Sequence, residues 1–173
     1  SMSGQHAGRR SRQRVVQWST GGVGSIAARV LGEHPDFDLA GVWVHSSDKV
    51  GRDVGEISGG SVLGVEASSD RKALLALRPD CICYTATGES RPRECIDDLC
   101  EMLSLGINVV TTSIPGLVHP QAFDPKEVER LDRACHEGGA SLYASGIEPG
   151  FAGDELVLTL STISHRIESV RTQ

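Results

Sequence analysis

Two rhythms of apolar and polar residues alternate along this chain. Short runs rich in β-branched and aromatic residues, bounded by Gly, Pro, Asn and Asp, give way to longer stretches in which apolar residues recur every three or four positions. The first pattern predicts strands and the second amphipathic helices. Strands are expected at 14–19, 37–44, 62–66, 81–86, 108–112 and 141–144, with a further one at 167–171. Helices are expected at 23–33, where Ile26, Ala27, Val30 and Leu31 form one apolar stripe ended by Gly32 and Pro35, and more weakly at 52–57. A third starts at an Asp70 cap, carries Ala73, Leu74 and Leu77, and stops at Pro79. A fourth is capped by Ser90 with Pro92 in its first turn, presents Ile96, Leu99, Cys100 and Leu103 on one face, and closes at Gly106. Asp124-Pro125-Lys126-Glu127 reads as a capping box that starts a fifth, with Val128, Leu131 and Cys135 inward and an end at Gly138, and 151–163 carries a last helical pattern.

Strands that alternate with amphipathic helices pair in parallel through right-handed crossovers and take helices on both faces. The expected fold is therefore α/β, a doubly wound parallel sheet. Such sheets bind ligands beyond the carboxyl ends of their strands, which directs attention to the loops after strands 1, 2, 4, 5 and 6.

The loop after strand 1 carries the clearest chemistry. Gly21-Gly22-Val23-Gly24-Ser25 joins the apolar run Val15-Val16-Gln17-Trp18 to a helix. Glycines let a ligand approach the main chain, and the free N–H groups and positive dipole end of the following helix attract an anion. A tight turn with no ligand is the alternative; the strand before, the helix after and the position near the chain start favour a phosphate. The residues expected to hold a diphosphate are Gly21, Gly22, Val23, Gly24 and Ser25.

In dinucleotide folds an acidic residue about 20 positions past the glycine loop takes the adenosine ribose hydroxyls. Strand 2 of this chain ends instead in His45-Ser46-Ser47, with Lys49 and Arg52 nearby. Such donors suit a 2′-phosphate, so His45 and Ser46 are expected at the adenosine end and NADP(H) is favoured over NAD(H). Under the competing reading Asp48 binds the ribose and the cofactor is NAD(H). Thr85, Ala86 and Thr87, after strand 4, are expected on the nicotinamide side. A methyltransferase would use a similar loop but wants an acid ending strand 2, and a kinase or GTPase would need Lys-Ser/Thr closing the loop.

The 173 residues suffice for one well-buried domain. Their 39% hydrophobic and 23% charged residues are those of an ordinary globular protein, and no apolar run reaches the roughly 20 residues that span a bilayer. With no secretory pattern at the start, a cytoplasmic location is expected. Ser1-Met2 reads as a cloning scar, and 1–14 as a disordered tail holding Arg9, Arg10, Arg12 and Arg14. The net charge of -6 leaves the remainder more acidic still, which disfavours nucleic acid as a partner. The partner expected is a small-molecule substrate. Cys81, Cys83, Cys95, Cys100 and Cys135 fall inside expected elements and read as reduced core thiols; Cys81 and Cys83 share one strand face, but no second pair completes a metal site.

Longer matches now carry weight: Val15 to Gly24, Gly41 to Ser46, Lys49 to Glu56, Asp80 to Ala86, Asn108 to Ser113 and Gly146 to Asp154. Together they make the chain resemble actinobacterial proteins related to dihydrodipicolinate reductase and to 2,4-diaminopentanoate and amine dehydrogenases. The resemblance implies a Rossmann-like cofactor domain at 15–150 and, at 151–173, only the beginning of a substrate and dimerisation domain. It also implies a chain about twice this length, of which this is a fragment that binds cofactor without turnover by itself. The amine dehydrogenases of the group carry a Cys-Glu-Glu-type segment after strand 5 whose glutamate handles the amine proton. Here the stretch Ser113 to Pro120 has no carboxylate, which counts against amine dehydrogenation. His119 and Glu148 are the nearest titratable groups on ligand-side loops, and the catalytic residues stay unassigned. The function so read is the cofactor half of an NAD(P)-dependent oxidoreductase acting on C=N or C=O. The alternatives are a non-enzymatic dinucleotide sensor and an inactive homologue with an empty loop. Apolar residues between Phe151 and Val170 suit homodimerisation or exchange of the terminal segment.

Overall fold

A computed structural model describes residues 11–88, 90–163 and 165–169, with the side chain of Asp154 left out. The expected tail at 1–14 lies largely outside these residues, and β1 already begins within it. Six strands, β1 (Gln13–Trp18), β2 (Phe37–Trp43), β3 (Ala67–Ser68), β4 (Cys81–Tyr84), β5 (Asn108–Thr111) and β6 (Leu142–Ala144), form one sheet. Its order is β3-β2-β1-β4-β5-β6 and every neighbouring pair is parallel. Six α-helices join them: α1 (Gly22–Glu33), α2 (Val54–Ile57), α3 (Arg71–Ala76), α4 (Pro92–Ser104), α5 (Pro125–Gly138) and α6 (Leu156–Ser161). This is the doubly wound, Rossmann-like sheet expected from the alternation of patterns.

The larger core cluster joins Val16, Trp18, Ile82, Tyr84 and Val109 of the sheet to Ile96, Leu99, Met102 and Leu103 of α4 and Leu131 and Ala134 of α5. Trp18 lies at its centre, stacked on Trp43 at 5.1 Å and on Tyr84 at 6.5 Å, with the Arg71 guanidinium 5.2 Å from its ring. Arg71 is tied in turn to Asp98 at 2.8 Å and Glu101 at 2.7 Å, so the end of β1 is anchored to α3 and α4 together. A smaller cluster, including Ala28, Leu39, Val42, Val44 and Val54, lies where α1 and α2 meet β2.

Several expectations fail for identifiable reasons. Only part of the stripe Ile26, Ala27, Val30 and Leu31 faces the core: Leu31 packs against the smaller cluster, whereas Ile26 is 57% and Val30 55% exposed and Gly24 and Ala28 are buried instead. Small residues let α1 approach the sheet closely, and that choice turns the larger ones outward. The strand expected at 62–66 forms only at Ala67–Ser68. The backbone N–H groups of Leu63 and Gly64 are taken by the Asp53 carboxylate, and Gly64 has φ +75, so neither joins a ladder. Ser90 is not the cap of α4; Arg91 holds that position without a side-chain bond, kept out of the helical region by the proline that follows it. The helix expected at 151–163 shortens to α6, preceded by a turn in which Glu148, Pro149 and Gly150 are non-helical. Residues 167–169 form no strand, and the rest of that expected strand lies outside the described residues.

Other termini follow their chemistry. Asp70 caps α3 by accepting from Ala73 N–H at 3.0 Å, and Asp124 caps α5 by accepting from Lys126 N–H at 2.9 Å. Glu127 does not close the capping box; it pairs with Arg130 at 2.7 Å. Gly139, at φ +63, ends α5 in the left-handed conformation that glycine adopts without strain.

Candidate functional site

From β1 the chain winds one way to β2 and β3, and β4 returns to the other side of β1. Outside the carboxyl ends of β1 and β4 the loops therefore diverge and leave a crevice, the usual ligand position in such sheets. The glycine loop forms one wall of this crevice and the loop beginning at Thr85 the other.

The glycines of the first loop do different work. A Cβ at Gly24 would fall 2.6 Å from Thr85 Oγ1 and nearer still to the Ser19 carbonyl oxygen, so residue 24 is glycine for packing. Gly21 and Gly22 have nothing within 4 Å of where a Cβ would sit, and both are exposed. Their bareness leaves the start of α1 open from outside. Gly21, the cap residue of that 12-residue helix, makes no side-chain capping bond, and the first turn has no acidic residue. A helix end with open N–H groups and no opposing carboxylate is suited to an anion.

Three side chains hold this loop in shape. Lys49, half-buried after β2, donates from Nζ to the Thr20 carbonyl at 3.1 Å and to Thr20 Oγ1 at 3.2 Å, which places an ammonium beside the loop. Ser25 Oγ donates to the same carbonyl at 3.1 Å. From beneath, the wholly buried Gln17 donates from Nε2 to the Ser19 carbonyl at 2.9 Å and to Thr85 Oγ1 at 2.7 Å. Ser19 has φ +83, a conformation that a residue with a side chain adopts only when its surroundings impose it.

The residues expected from the sequence take up varied positions. Gly21, Gly22, Val23, Gly24 and Ser25 lie together at the start of α1. His45 and Ser46 are exposed just past β2, the His45 ring 6.1 Å from that of Trp43. Asp48, the alternative ribose ligand, is exposed in a 3-10 turn over Ser47–Lys49, and Arg52 is also exposed. Thr85 is half-buried with its hydroxyl donating to the Trp18 carbonyl at 3.1 Å, Ala86 is buried, and Thr87 is exposed. A cleft of about 400 Å³ runs from Val23 to Thr112, Pro115, Ser145 and Glu148. It joins the glycine loop to the ends of β5 and β6, bringing Glu148 to the site and leaving His119 off its lining. Among the described residues no group of three His, Cys, Asp or Glu side chains converges as a metal site would require.

Sequence reasoning missed Gln17, Ser19 and Thr20. One signal was present: a lone amide in an otherwise apolar strand that runs straight into a glycine loop.

Asp53 is occupied elsewhere. Its carboxylate accepts from Leu63, Gly55 and Gly64 N–H groups at 3.0, 2.8 and 2.8 Å, which holds its pKa below the usual carboxylate range. The five cysteines are free, and burial raises the thiol pKa at each, that of Cys83 to about 11.

No family model matches the chain. An amine dehydrogenase of Streptomyces virginiae is 40% identical over 160 residues, which are 92% of this chain and 44% of that protein. The structure of amine dehydrogenase from Mycobacterium smegmatis superposes with a TM-score of 0.74 at 28% identity, covering 92% of this chain and 46% of that one. The chain is similar to part of each of these dehydrogenases. A 2,4-diaminopentanoate dehydrogenase of Acetoanaerobium sticklandii matches 82 residues at 28% identity, 47% of this chain and 23% of that protein. The chain thus spans less than half the length of the curated relatives it matches. At 18% identity the fold also matches GenD2 from gentamicin A biosynthesis, solved in complex with NAD, with a TM-score of 0.57 over 83% of this chain and 37% of that one. Among the described residues no helix is long and apolar enough to cross a membrane.

Proposed function

We propose that the crevice between β1 and β4 binds a nicotinamide dinucleotide, and that this chain is the cofactor-binding half of an NAD(P)-dependent oxidoreductase acting on a C=N or C=O bond. The observation that carries the reading is the open start of α1, where two bare glycines lead into uncapped N–H groups with the Lys49 ammonium alongside. The diphosphate would rest on the N–H groups of residues 21–25. The adenosine ribose end would meet His45 and Ser46, and the nicotinamide side would lie toward Ala86, Thr87 and the cleft holding Glu148. When bound, the cofactor supplies a hydride donor or acceptor at its nicotinamide ring. The chain's own part is to hold the diphosphate and aim the far end of the ligand along the cleft.

The residues past β2 favour NADP(H). A 2′-phosphate gains from Lys49, His45 and Ser46, and only Asp48 offers the carboxylate that NAD(H) prefers. Among substrates, amines and imines are favoured by the name of the 40% identical relative. The lack of a carboxylate in Ser113 to Pro120 weighs the other way and keeps reduction of a C=O bond as the second reading. Titration by calorimetry tests the proposal: NADPH is expected to bind more tightly than NADH. The dinucleotide reading fails if neither binds, and the preference fails if NADH binds more tightly.

A further inference from the structure

We infer that Gln17 is a positioning residue for the dinucleotide, a strap that locks the loop after β1 to the loop after β4 in their binding geometry; this rests on the cofactor reading above. Gln17 lies in β1 with Val15, Val16 and Trp18, all buried and apolar, and is itself wholly buried. Its Nε2 reaches the carbonyls of Ser19 at 2.9 Å and Trp18 at 3.4 Å, and Thr85 Oγ1 at 2.7 Å. Carbonyl oxygens only accept, so the amide nitrogen must face them and Thr85 must spend its proton on a main-chain carbonyl, that of Trp18 at 3.1 Å or of Ser19 at 3.4 Å. The orientation of both side chains is thereby decided.

This arrangement is poor for stability. It leaves Gln17 Oε1 buried with no hydrogen-bond partner among the described residues. Methionine or leucine would fill the same strand position without an orphaned acceptor, so the amide is disfavoured on stability alone. What it supplies is geometry. It fixes the left-handed backbone of Ser19, and through Thr85 it sets the distance between the two crevice walls, against which Gly24 is packed. A dinucleotide that touches both walls depends on that spacing.

The test uses two variants and NADPH titration of the chain, at a temperature where circular dichroism shows each folded. Q17M keeps the volume and removes the donor; it is expected to weaken NADPH binding about tenfold, the effect of one or two lost hydrogen bonds. Q17E carries a carboxylate that faces carbonyls when ionised but donates when protonated. Burial raises its pKa, so NADPH affinity is expected to recover as pH falls from about 8 to about 5.5 relative to wild type, a response that space-filling alone would not produce. Wild-type affinity in Q17M, or a pH profile of Q17E parallel to that of wild type, overturns the assignment. If Q17E does not fold, Q17M decides; if neither folds, T85V decides, since it deletes the hydroxyl that Gln17 meets, with weakened binding expected and unchanged binding overturning the strap. Failure of the wild-type chain to bind NADPH is a separate result, which sinks the cofactor reading itself.

Discussion

Gly24, near the start of α1, and Thr85, just after β4, are in tight contact: a Cβ on residue 24 would lie 2.6 Å from the threonine hydroxyl. The helix start is held against the second crevice wall by the absence of one side chain. Gly24→Ala should push α1 away from the sheet, costing about 1–3 kcal/mol of stability as overpacking does. It should also cost most of the dinucleotide affinity. Urea unfolding and calorimetric titration of the same variant check both, whereas Gly21→Ala, with open space around it, should leave stability nearly unchanged and weaken only binding.

Lys49 places its ammonium on Thr20 beside the expected phosphate position. Lys49→Met should weaken NADPH binding about tenfold, with a smaller loss for NADH, since a charged hydrogen bond to the extra phosphate is worth about 1.5–3 kcal/mol. The salt dependence of NADPH binding should flatten in parallel. Equal losses for both cofactors would place the lysine at the diphosphate or in the loop's structure rather than at the 2′-phosphate.

Asp53 makes stability depend on acid. Its pKa is lowered in the folded chain by N–H groups of Leu63, Gly55 and Gly64, so its contribution is present above the unfolded carboxylate value of about 3.9 and disappears as pH falls through the lower folded value. Asp53→Asn should destabilise the chain at neutral pH, and the difference between the two urea midpoints should shrink below about pH 4. A constant difference down to the acid limit would show that the carboxylate's charge contributes nothing.

Cys83 should be unreactive while the chain is folded. Burial raises its pKa to about 11, so little thiolate exists at pH 8, and the other four thiols are shifted in the same direction. Alkylation with iodoacetamide followed by mass spectrometry should find slow labelling of Cys83 in buffer and complete labelling in urea. Rapid native labelling at this position would contradict its burial.

Leu99 tests the larger core. It is fully buried on α4, and Leu99→Ala should cost about 2–5 kcal/mol, read as a shift in the urea midpoint.

Much of the fold was legible in local patterns. The alternation of β-rich runs with periodic apolar stretches, and the caps Asp70 and Asp124, depend on neighbours within a few residues, so position along the chain carries the information. The glycine loop was legible for the same reason: a strand, a turn and a helix start are contiguous. Where distant segments compete, local patterns misled. Ile26 and Val30 looked inward by periodicity, yet the close approach of α1 to the sheet selected the small face of Gly24 and Ala28. Likewise, Leu63 and Gly64 read as strand until the Asp53 carboxylate took their N–H groups.

The sequence by itself therefore determined the class of sheet, the order of its elements and the place of the glycine loop, because each follows from chain-local periodicity and turn chemistry. Only the tertiary structure decided how that loop is held. Gln17, Ser19, Lys49 and Thr85 are brought together by the parallel pairing of β1 with β2 and β4. Hydrogen bonds between residues as far apart as 17 and 85 exist only after the strands align, and no local pattern records which carbonyl a buried amide will meet.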